Sequence, residues 1–109
     1  MTSRDSQVRP PRHCENMTDI LTEIDRLDRA LVKLLSERQG YIERAAEIKS
    51  DRIAVRDETR IEDVIAKVLT EARKEGLSVE IAEPVWRALV ERSIALEFKA
   101  FDAKTQRSK

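Results

Sequence analysis

Five polar side chains fall on stretches of this chain that should be burying apolar ones: Arg38, Lys49, Arg60, Ser93 and Glu97. From Ile20 to about Ser50, the apolar positions Ile24, Leu27, Leu31, Leu34, Ile42 and Ala45 recur at the three-and-four spacing of one helix face. Continuing that stripe gives Leu34, Arg38, Ile42, Ala45, Lys49, so two cations interrupt it about three turns apart. Arg60 stands just before the apolar face that begins at Ile61, and Ser93 and Glu97 continue the face of Trp86, Leu89 and Val90. A desolvated cation is costly unless an anion pairs with it. That anion is either a carboxylate of the protein (Glu37 or Glu43 for Arg38, Glu97 for Lys49) or a small polyanion from outside.

Together these cations and hydrogen-bond donors suit a small dicarboxylate. Such a set catalyses by restraining the conformation of what it binds and by stabilising developing charge, with no covalent step. A Ser–His or Cys–His nucleophile is not expected, because His13 and Cys14, the one histidine and the one cysteine, sit side by side in a polar N-terminal stretch. One of each makes neither a metal site nor a disulfide framework, so no metal and no cofactor is expected.

These side chains must be positioned by helices. The chain has 109 residues, enough for one small domain, and 39% charged, 40% hydrophobic and 4% aromatic residues with two glycines point to an all-α protein. Lys+Arg and Asp+Glu are both 21, and a net charge of zero argues against a nucleic-acid partner. No stretch approaches the roughly 20 apolar residues of a membrane span, and no apolar signal core is seen, so the expected compartment is the cytoplasm.

Residues 1–16 carry no periodicity and one Pro-Pro step, which reads as a flexible N-terminal arm whose Arg4, Arg9 and Arg12 solubilise it. A first helix capped by Thr18 or Asp19 and running to about Ser50 would be roughly 50 Å long at 1.5 Å per residue. A compact domain of about 100 residues has a radius of gyration of only about 13 Å. The long apolar stripe therefore needs cover that the chain cannot supply, and a homodimer with two such helices side by side answers the geometry. The stretch 51–57 reads as a loop. Thr59 and Glu62 form a capping box for a second helix carrying Ile61, Val64, Ile65, Val68, Leu69 and Ala72, which ends at Gly76. Ser78 caps a third, with Pro84 near its first turn. The domain so defined covers residues 17–101, and residues 102–109 read as a polar C-terminal tail.

Three runs are more specific than the spacing alone: Ile24-Asp25-Arg26-Leu27-Asp28, Leu34-Leu35-Ser36-Glu37-Arg38 with Lys49 beyond it, and Val55-Arg56-Asp57-Glu58-Thr59-Arg60. Over about residues 17–101 they resemble the all-helical chorismate mutases. The resemblance implies three helices per chain, one long and two shorter, interlocked into an intertwined homodimer with two active sites. It also implies the concerted sigmatropic rearrangement of chorismate to prephenate, a step of aromatic amino acid biosynthesis. Carried over by position, Arg38 would bind a substrate carboxylate, Arg60 would position the substrate, and Ser93 would lie near the carboxylate. Asp57 would meet the ring hydroxyl, while Lys49 and Glu97 would both donate to the ether oxygen.

Three positions depart from the family pattern. Leu21 occupies the place where many members send an arginine across the dimer to a substrate carboxylate. Ile61 stands where some place a glutamate for the ring hydroxyl, and Glu97 where several have glutamine. To donate to the ether oxygen Glu97 must carry a proton, so the resemblance implies an enzyme that works best at mildly acidic pH. Isochorismate-pyruvate lyases, which form salicylate, are also similar in Cys14 before the first helix, in Tyr41, Ala45, Ala46 and Lys49, and in tolerating an apolar residue at Ile61. Leu21 leaves a third alternative, a catalytically silent helical dimer that binds a metabolite or a protein.

Overall fold

The computed structural model describes residues 8–107, so Arg4 of the N-terminal arm lies outside the described residues. Three helices account for most of them: α1 (Met17–Ile48), α2 (Glu58–Glu75) and α3 (Val79–Arg107). Two short 3₁₀ turns, Pro11–His13 and Arg52–Val55, lie before α1 and between α1 and α2. Among the described residues there is no strand, and no helix is long and apolar enough to cross a membrane. The chain divides into two compact units, one ending at Arg38 and one beginning at Gln39.

The first unit holds most of α1 and the segment before it. Asn16 caps α1, its side-chain oxygen accepting from the Asp19 N–H at 2.9 Å, two or three residues before the expected Thr18 or Asp19 cap. Asp19 in turn accepts from the Glu15 N–H at 3.0 Å and from Arg9 at 3.2 Å, so part of the supposed arm is tied to the helix it precedes. Along this part of α1, Leu21, Ile24, Leu27, Leu31, Leu34 and Leu35 are all exposed in the single chain.

The second unit has the core. Gly76 closes α2 with a left-handed φ of 78°, which lets its N–H reach the carbonyls of the last turn. Ser78 then accepts from the Glu80 N–H at 3.1 Å to open α3. The turn sends α3 back along α2: Arg87 forks onto Glu62 at 3.1 Å by both nitrogens, and Arg56, just before α2, forks onto Glu91 further along α3. Between them Ile61, Val90, Ile94 and Phe101 are buried with Val55 of the 3₁₀ turn and Ala46 near the end of α1. The α2 cap is Asp57, whose carboxylate accepts from the Arg60 N–H at 3.1 Å, and not a Thr59–Glu62 box, since Glu62 is engaged by Arg87.

The helix α3 runs on to Arg107, past the point where apolar periodicity fades. The polar residues there have tertiary partners. Asp102 receives Arg52 at 2.9 and 3.2 Å, Arg52 also stands 4.4 Å over the Phe98 ring, and Lys104 reaches the end of α1. A tail with such partners is ordered as helix.

Candidate active site

Lys49 is the first residue beyond α1, and its N–H still donates to the Ala45 carbonyl at 3.0 Å. That bond keeps the residue on the line of the helix while its side chain turns towards α3. There, Glu97 is 5% exposed, the buried charged residue among the described ones. Lys49 Nζ donates to Glu97 Oε2 at 2.6 Å. A carboxylate so deeply placed requires a partner, and the short charge-assisted bond supplies it. The internal anion considered for Lys49 is therefore present in the chain.

The pair also has a chemical capacity. An ammonium always donates, whereas a carboxyl donates only when protonated. Protonating Glu97 turns the acceptor of the pair into a second donor beside the first. Ser93, four residues earlier and so on the same face of α3, is half-buried. A cation, a carboxyl and a hydroxyl thus lie on or against one helix face.

Two further predicted site residues have partners of their own on α2. Asp57 and Arg60 share the first turn of α2, where Asp57 spends one oxygen on the cap. The Arg60 guanidinium is exposed and bonds Asp63 at 3.0 Å. Lys67 and then Arg60 hold the Asp63 carboxyl below its ordinary range. Arg38 belongs to the first unit, where it is half-buried on α1. Ile61 is a core residue at 8% exposure, so at this position an apolar side chain contributes packing. Leu21 is exposed on α1.

One residue that pattern reading passed over belongs beside the pair. Lys104 Nζ donates to the carbonyls of Ala46 at 3.0 Å, Glu47 at 3.4 Å and Lys49 at 2.7 Å. The signal was its place seven residues after Glu97, two turns along the same helix. Among the described residues no group of three or more His, Cys, Asp or Glu could hold a metal ion.

No curated protein matches the chain. The family model described as Chorismate mutase type II matches residues 20–98, most of its length.

Proposed function

This chain belongs to the type II chorismate mutases and rearranges chorismate to prephenate, and we propose that it does so at the Lys49–Glu97 pair, as a cytoplasmic homodimer. The observation that supports the site is the 2.6 Å bond between Lys49 and the buried Glu97. As the ether C–O bond of chorismate breaks and the new C–C bond forms, negative charge gathers on the ether oxygen. A fixed ammonium aimed at that atom is worth more in the transition state than in the ground state, and that difference is the catalysis.

For the ether oxygen to enter, Glu97 gives up its role as acceptor for Lys49. In its protonated form it keeps a hydrogen bond by donating to the same oxygen. On the family's pattern, Ser93 lies near a substrate carboxylate, and Arg38 is carried over as a carboxylate-binding cation. Arg60 leaves its exposed partner Asp63 to position the substrate, and the oxygen of Asp57 not used in the α2 cap accepts from the ring hydroxyl. No covalent intermediate is needed, since holding the substrate in its reactive conformation does the rest.

The homodimer is supported by the exposed stripe Leu21, Ile24, Leu27, Leu31, Leu34 and Leu35. A second copy of α1 presents the same residues and covers them by symmetry. The test is to follow chorismate consumption from about pH 5 to 8, with the product identified as phenylpyruvate after acid treatment. Lys49→Ala should lower kcat/KM by about 10² to 10³, the loss typical of one oxyanion donor. An alanine variant as fast as the parent would remove Lys49 from the site, and salicylate formed from isochorismate would mark a lyase instead.

A further inference from the structure

We infer that Lys104, which lies outside the matched residues 20–98, is the positioning residue of Lys49. This rests on the reading of Lys49 as the donor to the ether oxygen. A helix leaves its last carbonyls without partners, and α1 ends at Ile48, immediately before Lys49. Lys104 has three N–H donors and three carbonyls in reach, those of Ala46, Glu47 and Lys49. Its ammonium also stands 4.2 Å from the centre of the Phe101 ring, and Phe101 is a core residue, so the stem is held where it is. A cation at this end of a helix is favoured by the helix dipole as well.

The result is that the backbone of Lys49 is fixed on both sides, its N–H by the Ala45 carbonyl and its own carbonyl by Lys104 at 2.7 Å. Its side chain is fixed by Glu97 at 2.6 Å. Glu97 and Lys104 lie two turns apart on α3, so one helix face grips Lys49 at its ammonium and at its backbone. When chorismate displaces the Glu97 bond, the grip at the backbone is what still aims the ammonium. Misplacement by about 1 Å can cost on the order of 10² in rate, so the aim matters.

The experiment is steady-state kinetics on the full chain, well below its melting temperature. Lys104→Met keeps the stem over Phe101 and removes the donors. It should lower kcat about tenfold, a fraction of the loss that misplacement can cause, while KM stays nearly constant. Lys104→Arg, which keeps charge and donors, should recover most of the loss, and Lys104→Gln should fall between. In a Lys49→Ala background, Lys104→Met should cost much less, because the side chain it aims is gone, whereas a fall in melting temperature should persist. Unchanged kcat in Lys104→Met, or an equal cost in both backgrounds, would overturn the inference. If Lys104→Met does not fold, Lys104→Gln is judged by the same two criteria. Lys49→Ala separates the two levels: activity retained there defeats the site itself, and activity lost there but kept in Lys104→Met defeats only the role of Lys104.

Discussion

The two units of this chain handle their apolar residues in opposite ways. In the second, α2, α3 and a 3₁₀ turn close around Val55, Ile61, Val90, Ile94 and Phe101, and the buried carboxylate of Glu97 has a cation at 2.6 Å. In the first, seven large apolar side chains from Leu21 to Leu35 line a single helix and stay exposed. A closed core is satisfied by its own chain, whereas a long helix with an uncovered stripe is satisfied only by another molecule. The stability of the second unit should therefore be intrinsic, and that of the first should depend on concentration.

The comparison can be broken most forcefully in the core. Phe101→Ala should cost about 3–5 kcal/mol in chemical denaturation, whatever the protein concentration. Leu31→Glu should act differently: sedimentation should show a shift towards monomer, and the melting temperature should lose its dependence on concentration. If Leu31→Glu behaves as the parent in both measurements, the stripe is not the dimer face. Glu97→Gln sharpens the contrast from the side of the site. It keeps a donor at the same place, so its kcat/KM should stay within about tenfold of the parent's, whereas Glu97→Ala should lose about 10² to 10³. An equal loss in both variants would deny Glu97 its role as a donor.

The smallest effect should come from the exposed ion pairs. Arg87 holds the Glu62 carboxyl, and Arg56 that of Glu91, below the ordinary value of 4.5. Arg52 does the same for Asp102. Groups with depressed values in the folded chain add stability above their ordinary values and lose it as pH falls through the folded ones. The melting temperature should thus sag below about pH 4.5, slightly less in Arg87→Ala than in the parent. An equal sag in both would leave that pair without a share.

Most of the helices were legible in the sequence because their signals are local. The stripe of α1, the apolar face of α2, Gly76 and Ser78 each act within a turn or two of themselves. The α2 cap was misread because Asp57 and the Thr59–Glu62 pattern compete locally, and the outcome is set by Arg87, which engages Glu62 from another helix. The last turns of α3 were hidden for the same reason, since Asp102 and Lys104 look like tail residues until Arg52 and the end of α1 are placed beside them. Lys49 and Glu97 were visible as interruptions of apolar faces. That they meet was only one alternative, because which cation meets which anion depends on how α3 packs. Ile61 read both as the start of the α2 apolar face and as a departure from a site pattern, and its burial agrees with the first.

If the rearrangement runs at the Lys49–Glu97 pair, their bond would also act as a filter. The two charges cancel, so the pair by itself offers little pull to a passing anion. A guest that brings only negative charge would satisfy the lysine and strand the buried carboxyl. A guest with a neutral oxygen between them satisfies both, once one proton has arrived. Selectivity for an ether over a plain dicarboxylate would then come from what the enzyme must give up to open, as much as from what it gains on closing.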